Sequence, residues 1–382
     1  MEPNSPAWSP AWPDRFLPGA QSPLCLRAQG LAGAEPFDGP PAVLVVDGEI
    51  AALGAEALAA GAVRRDLPGV WLSPAPLDAH VHLHLGGGPE AGLKASAWAG
   101  LAAVRDLGHR PDKATPVAGR GAPVLVAAGP GLGAAGEAGS WLAEPLAGAG
   151  AFARAARQRI ARGCGVIKLF GTGLLDDSQA GQVRHPLALG DQEVAAAVGE
   201  AHKAGRRAAV HASGEAAVNQ ALEQGVDCLE HGFFLGRATL ARMAERGMWW
   251  SPTLAPVMAH AADPQGRHDP AARRVWAEIA RLQKAQVKLG AELGVRLVLG
   301  SDAGSYGVPH GQGAFLEMAA WLEAGVPPAT VFAAATRRAA RVMGLERKLG
   351  GIFVGARAWL LGARSDPRRD PLQLARPVWR SF

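Results

Sequence analysis

Cysteine is scarce in this chain. Cys25, Cys164 and Cys228 are the only three in 382 residues. They are too few and too scattered for a disulfide framework or a thiolate metal site, and Cys164 and Cys228 read as packing residues near strands. Long apolar runs are missing too. Although 48% of the residues are hydrophobic, no stretch is long enough to span a bilayer. The opening Met-Glu-Pro-Asn-Ser-Pro has neither a basic start nor a hydrophobic stretch, so no secretory signal is read and a reducing cytoplasm is the expected setting. The net charge of +5 is spread along the chain, apart from a local cluster at Arg364, Arg368 and Arg369. No basic stripe is interleaved with aromatics, which argues against a nucleic-acid partner.

The length suits one large domain plus a smaller one. The first ~20 residues are rich in Pro and Trp and are expected to be irregular. Residues 43–53 read as two strands around the turn Asp47-Gly48. Apolar strands then alternate with Ala-rich helical stretches, the strands falling at 77–83, 102–106, 124–128, 166–170, 208–211, 227–230, 249–253 and 296–300. Before the last of these, Val275, Ile279, Leu282 and Leu289 mark one apolar helix face. Eight β-then-α units over roughly 270 residues match the size of a (β/α)8 TIM barrel. A doubly wound sheet would usually carry a Gly-rich phosphate loop, and Gly86-Gly87-Gly88 lacks that spacing. After Gly344 the chain returns to β structure at 350–355 and 359–361, expected to pair with the N-terminal hairpin. The resulting division is an α/β barrel over 73–345 and a small β-sandwich domain built from 1–72 and 346–382.

The most informative stretch is Asp78-Ala79-His80-Val81-His82-Leu83-His84. In a strand, Asp78, His80, His82 and His84 share one side, and Ala79, Val81 and Leu83 share the apolar other side. Active sites of such barrels lie at the C-terminal strand ends. Those ends carry His80 and His82, Lys168, His211, His231 and Asp302. Singly, each has an ordinary explanation: a hydrogen-bonded structural histidine, or an aspartate capping a helix. Lys168 is harder to explain, because an ammonium inside an apolar strand is costly to bury unless paired or neutralised. Reaction with CO₂ would turn it into a carbamate able to bridge two cations.

This ordered set resembles the amidohydrolase superfamily, in its binuclear subtype with a carboxylated lysine. The resemblance runs over 43–361 and includes the segments 100–108 and 334–345. Within the superfamily, 166–173, 193–214 and 225–233 are most similar to prolidase-like and dihydroorotase-like amide hydrolases. The resemblance implies His80, His82 and Asp302 on one metal ion, His211 and His231 on the other, and Lys168 as the bridging carbamate. Zn²⁺ suits imidazole and carboxylate donors. The implied reaction is hydrolysis of an amide C–N bond in a dipeptide, an N-acyl amino acid or a cyclic amide, by hydroxide held between the metals. Asp302 would be the proton shuttle. Two departures touch the substrate side: residues 129–141 lack a histidine found in dipeptidase-like relatives, and 355–359 lack the usual Lys and Asp.

Other readings stay open. A mononuclear aminohydrolase would place a Glu three residues after the fifth-strand His, where this chain has Gly214. A lactonase or phosphotriesterase could use the same metal set but would lack the paired-end β domain. A non-catalytic scaffold should have lost ligands, and none is missing. His310 and Tyr306, the only tyrosine, are candidate substrate contacts on the loop after Asp302. Glu230 precedes a ligand and could support it. His84 lies past the strand end and is not expected to bind metal. His109, His185, His202, His260 and His268 are expected at the surface. The expected partner is a small-molecule substrate, with no nucleic acid and no membrane; a homo-oligomer is left open.

Overall fold

The computed structural model describes residues 23–119, 121–135 and 141–381. The irregular segment expected at the start of the chain lies outside them. Among the described residues, no helix is long and apolar enough to cross a membrane.

The N-terminal part forms a four-stranded sheet in which Glu49–Leu53, Ala42–Val46, Leu24–Arg27 and Val63–Asp66 are neighbours in that order. Asp47 (φ 50°) and Gly48 (φ 78°) are both left-handed, the backbone that a two-residue hairpin turn needs. Val63–Asp66 is wholly exposed, and Arg64, Arg65 and Asp66 put charge on that edge strand, which discourages pairing with other chains. A second sheet orders Trp379–Arg380, Leu360–Ala363, Trp71–Pro74 and Gly30–Leu31. The C-terminal return therefore pairs along its length with Trp71–Pro74. It meets the hairpin through 355–358, where Gly355 N donates to Ile50 O, Ile50 N to Ala356 O and Ala358 N to Gly48 O, and through Lys348 Nζ, which donates to Glu49 Oε1 at 2.7 Å. Residues 350–355, expected as a strand, form turns, with one bridge between Ile352 and Ala34.

The rest is α/β with parallel strands. Leu77–Val81, Ala103–Asp106 and Val124–Ala127 make a three-stranded sheet. A seven-stranded sheet runs Ala143–Leu146, Gly131–Ala134, Val166–Phe170, Arg207–Ala212, Cys228–His231, Trp249–Ser251 and Arg296–Leu297. Backbone hydrogen bonds link the two sheets on both sides. Gly165 N donates to Ala127 O at 2.9 Å, and Ala79 N to Leu299 O at 2.9 Å. The strands Gly131–Ala134 and Ala143–Leu146 were not among the eight expected and lie between the third and fourth of them. The seventh strand is shorter than expected because Thr253 turns left-handed (φ 50°) and starts the helix Leu254–Ala262 at once.

Ala-rich helices cover the sheets. Ala149–Ala161 and Asp191–Lys203 pack through Ala155, Ala156, Ala197 and Ala201, all buried. The long helix Pro270–Glu292 starts on Asp269, whose carboxylate accepts from Ala271 N and Ala272 N at 2.8 Å, with Pro270 at the first position. Its buried face is Trp276, Ile279, Ala280, Gln283, Gln286, Val287 and Gly290. The predicted stripe of Val275, Leu282 and Leu289 lies at the half-buried edge of that face. Gly290 allows Trp250 to lie against the helix: a Cβ there would be 2.6 Å from Trp250 Cζ3.

Candidate active site

The strand ends bring the titratable side chains together. His80 and His82 leave Leu77–Val81 on the same side, as alternation requires, and their Nε2 atoms are 3.3 Å apart. Asp302 Oδ1 lies 3.6 Å from His80 Nε2 and 3.4 Å from His82 Nε2. These three side chains each place one ligand atom within 4.8 Å of the others. Imidazole rings continue the cluster: His80 to His231 at 5.0 Å between centroids, and His231 to His211 at 4.4 Å. Lys168 is buried, with Glu230 and Asp302 the carboxylates that act on it most strongly.

The outward nitrogens are all engaged, and this sets which atom of each ring is free. His80 Nδ1 donates to Glu230 Oε2 at 2.8 Å. His82 Nδ1 donates to Gly108 O at 3.0 Å. Each ring then presents an Nε2 lone pair. His211 Nε2 donates to Gly173 O at 3.2 Å, leaving Nδ1. His231 Nδ1 meets Thr253 Oγ1 at 2.7 Å, leaving Nε2. Burial, aided by neighbouring cationic groups, keeps the four rings neutral: His82 is pushed down to about 4, His211 to about 3, and His80 and His231 well below the usual imidazole range. Burial also lowers Lys168 to about 8 and raises Asp302 to about 8. Lys168 Nζ has no hydrogen-bond partner among the described residues and lies 5.3 Å from the Phe170 ring centroid.

A further set of buried groups holds these side chains, and sequence patterns showed little of it. Glu230, fully buried, joins His80 to Arg105, whose Nη2 donates to Glu230 Oε1 at 2.8 Å while its Nε donates to Ala79 O at 2.6 Å. Asp78 accepts from His80 N, Ser301 N and Ser301 Oγ, tying the His-x-His strand to the residue before Asp302. Trp250 Nε1 and Gln283 Nε2 both donate to His231 O, at 2.9 and 2.8 Å. Gln286 Nε2 donates to Gly232 O, and its Oε1 accepts from Leu235 N. Besides Glu230, read from its place before His231, two glutamines on an otherwise apolar helix face were the visible signal, since a buried amide must be hydrogen-bonded. Gly300 leaves room for His80: a Cβ at 300 would sit 2.6 Å from His80 Cβ.

Backbone strain is concentrated here. His231 (φ 69°), Thr253 (φ 50°) and Asp302 (φ 56°) are left-handed without being glycine, a conformation that costs of order 1–3 kcal/mol per residue.

The other candidates sit as follows. His310 is buried; its Nε2 donates to Leu85 O at 2.9 Å, and the ring fills space left by Gly92, where a Cβ would be 3.0 Å from its Cδ2. The Tyr306 hydroxyl donates to Asp263 Oδ1 at 2.6 Å, and its ring stacks on His260 at 4.8 Å. Glu230 supports His80 directly, and His84 turns to Ala114 O. His185 and His202 are exposed, as expected. His109 is not: it is buried, its Nε2 3.3 Å from Thr115 Oγ1 and its ring against His84. His260 and His268 are half-buried and bonded to each other at 2.7 Å, with Trp276 stacked on His260. Hydrogen-bond partners nearby in sequence draw these three rings inward, with Trp276 stacking added at His260.

Comparison with known proteins agrees with this geometry. The sequence matches the amidohydrolase family over residues 71–371. Uncharacterized proteins of Mycobacterium tuberculosis (strain ATCC 25618 / H37Rv) and Mycobacterium bovis are each 31% identical over 318 residues, covering 81% of this chain and 83% of theirs. Among solved structures, a Xaa-Pro dipeptidase with methionine in its active site superposes with a TM-score of 0.76 at 23% identity, covering 93% of this chain and 97% of that one. An A. niger ochratoxinase gives 0.73 at 20% identity, covering 94% and 93%. At such identities the structures speak for the fold. The family match spans most of the sequence, and the chain belongs to the amidohydrolase family, as a hydrolytic enzyme acting on carbon–nitrogen bonds.

Proposed function

We propose that the chain is a binuclear metal-dependent hydrolase of amide bonds, with a dipeptide, an N-acyl amino acid or a cyclic amide as substrate. One observation carries this reading. His80 and His82, both neutral and both donating through Nδ1, face each other through Nε2 at 3.3 Å with Asp302 Oδ1 beside them. Two imidazole lone pairs turned toward one point repel each other unless a cation lies between them, and the Asp302 carboxyl beside them would ionise to join such a cation.

The donor set fits two divalent ions, zinc by the softness of its nitrogen and oxygen ligands. His80, His82 and Asp302 would hold one, and His211 Nδ1 and His231 Nε2 the other. The partnerless, buried Lys168 amine, lowered to about 8, is partly neutral near pH 7. It can attack CO₂ to give a carbamate and a proton, and the carbamate oxygens would bridge the ions. The ions would supply a carbonyl-polarising charge and a water acidic enough to react near neutral pH. Positive charge beside Asp302 lowers its raised value and makes it a base. Asp302 takes the proton of the attacking water as the C–O bond forms, and returns it to the leaving nitrogen as the C–N bond breaks.

For the architecture, we read the two parallel sheets and their linking hydrogen bonds as one (β/α)8 barrel over 73–345. The terminal sheets then form a small β domain from 1–72 and 346–382. The test is elemental analysis of metal-replete protein together with a screen of dipeptides, N-acyl amino acids, cyclic amides and lactones. About two divalent ions per chain and turnover confined to the amides are expected. A folded preparation that never exceeds one ion, or that turns over only lactones, would overturn the reading.

A further inference from the structure

We infer that Glu317, on the helix Gln312–Glu323, is a positioning residue for His231. It acts by taking over the capping of the helix Leu254–Ala262, so that the Thr253 hydroxyl is left for the imidazole. The inference rests on the proposed role of His231 in the metal site; Glu317 and Thr253 are not themselves among the proposed ligands.

The helix Leu254–Ala262 begins at Thr253. A threonine at that position ordinarily has extended backbone and turns its hydroxyl back to accept from the N–H two or three residues on. Thr253 does neither. Its backbone is left-handed, its side chain makes no capping bond, and its Oγ1 is 2.7 Å from His231 Nδ1. The donors it would have capped are accounted for elsewhere. The third helical residue is Pro256, which has no N–H. The first two N–H groups point at Glu317: Leu254 N donates to Oε1 at 2.9 Å and Ala255 N to Oε2 at 2.6 Å. Trp321 Nε1, one turn along the same helix, donates to Oε1 at 2.6 Å and fixes the carboxylate. Glu317 is fully buried and reaches across 63 residues of sequence to Leu254. A carboxylate held on three donors at a helix N-terminus also has the favourable end of the helix dipole.

The consequence falls on His231. For Nε2 to offer a lone pair, Nδ1 must carry the proton and donate to Thr253 Oγ1. A Thr253 side chain turned back to cap Ala255 N from an extended backbone would point its oxygen away from the ring. With Glu317 on the helix end, the oxygen is free and the left-handed backbone of Thr253 aims it at the ring. Glu317 is the one charged residue among the buried residues of its helix, the others being Gly313, Ala314, Met318, Ala320 and Trp321.

Four variants test this: Glu317→Gln, Thr253→Val, Thr253→Ser and the double variant of the first two. The readouts are zinc affinity by chelator competition, and the His231 tautomer from nitrogen shifts of ¹⁵N-histidine-labelled, metal-free protein. Glu317→Gln puts an amide NH₂ against backbone donors. It should weaken one of the two zinc ions by about 10- to 100-fold, the range for residues that orient a ligand. Thr253→Val should do the same and Thr253→Ser should retain the wild-type affinity. The double variant should be no weaker than Thr253→Val alone, since both act on one hydrogen bond. In metal-free protein, the Nδ1–H form of His231 should dominate in wild type and Thr253→Ser and be diluted in the other variants. Wild-type zinc affinity in Glu317→Gln, or losses that multiply in the double variant, would overturn the inference. A wild-type chain that binds no second ion would overturn the metal reading instead; the tautomer shift then decides the inference by itself. If Glu317→Gln does not fold, Glu317→Asp, which keeps the charge on a shorter arm, serves in the same comparison.

Discussion

Replacing Glu230 by glutamine exchanges one oxygen for an NH₂ and leaves the shape unchanged, yet it should separate metal binding from folding. Both carboxylate oxygens accept: Oε2 from His80 Nδ1 and Oε1 from Arg105 Nη2, each at 2.8 Å and fully buried. Glutamine offers one acceptor and one donor, so one of the two contacts must become donor against donor. If the amide oxygen faces His80, the Arg105 Nη2 faces an NH₂ group, while its Nη1 already has no partner among the described residues. A buried cation left with neither a counter-charge nor an acceptor costs about 3–5 kcal/mol. If the oxygen faces Arg105, His80 can still bond by moving its proton to Nε2, which removes the lone pair aimed at Asp302 and His82. The second arrangement keeps the buried cation solvated and should prevail. Zinc affinity should then fall about 10- to 100-fold, while the urea midpoint of the metal-free protein moves by less than a buried cation left without any acceptor would require. Chelator competition and urea unfolding measure the two quantities separately. Wild-type zinc affinity in a folded Glu230→Gln protein would refute the assignment of His80 Nε2 as a ligand atom.

Asp302→Asn should fold and lose about 10²- to 10⁴-fold in kcat, the usual worth of a general acid–base group. Because Asp302 is raised to about 8 in metal-free protein, most of it is protonated at pH 7. The imidazoles, lowered by burial, are already neutral at that pH. Lys168, also at about 8, is mostly protonated at pH 7 as well. Zinc loading in CO₂-free buffer should therefore release up to about two protons at pH 7, one from Asp302 and one from Lys168, and fewer as pH passes about 8. Zinc affinity should rise with pH over that interval. Calorimetry in two buffers of different ionisation enthalpy reads this, and release unchanged in Asp302→Asn would assign the Asp302 proton elsewhere. Lys168→Ala should abolish the bicarbonate dependence of metal loading and activity, with partial rescue by a short carboxylic acid in solution. Lys168→Arg should not be rescued, because guanidinium keeps its charge and forms no carbamate. An unmodified Lys168, by mass, in a fully active enzyme would refute the bridge.

The strand-borne part of the site was legible because its geometry is local. Alternation alone puts His80 and His82 on one side, and a polar residue at the end of an apolar parallel strand, as at Lys168, His211 or His231, stands out from its neighbours. The Asp47-Gly48 turn was legible for the same reason. What holds the ligands was not. Glu317 meets Leu254 across 63 positions, Gln283 meets His231 across 52 and Arg105 meets Glu230 across 125, and no periodicity records such pairings. The surface assignment of His109 failed because a loop histidine looks the same whether its partner is water or the Thr115 hydroxyl six residues on. The apolar stripe of Pro270–Glu292 was placed off-centre because Gln283 and Gln286 look polar, yet they sit in the middle of the buried face, bonded to carbonyls of the His231 loop.

Strain explains why so much of the fold converges on a few residues. A left-handed β-branched or acidic residue persists only where its surroundings over-determine it. At His231 the carbonyl is fixed by two donors, Trp250 Nε1 and Gln283 Nε2, and the ring by Thr253. At Asp302 the N–H donates to His80 O and the carbonyl accepts from Ser305 Oγ and Ser305 N. At Thr253 the helix that follows is gripped by Glu317. Each net hydrogen bond contributes about 0.5–1.5 kcal/mol, and more where a charge is involved, so two or three per residue offset a left-handed conformation of about 1–3 kcal/mol. The ordinary alternative for each residue is an extended strand end, which would turn its side chain away from the others. Ligand atoms from the His-x-His, Cys228–His231 and Asp302 segments converge because buried helices on the outside of the sheet, carrying Gln283 and Glu317, hold the backbone in turns that the strands alone would not make.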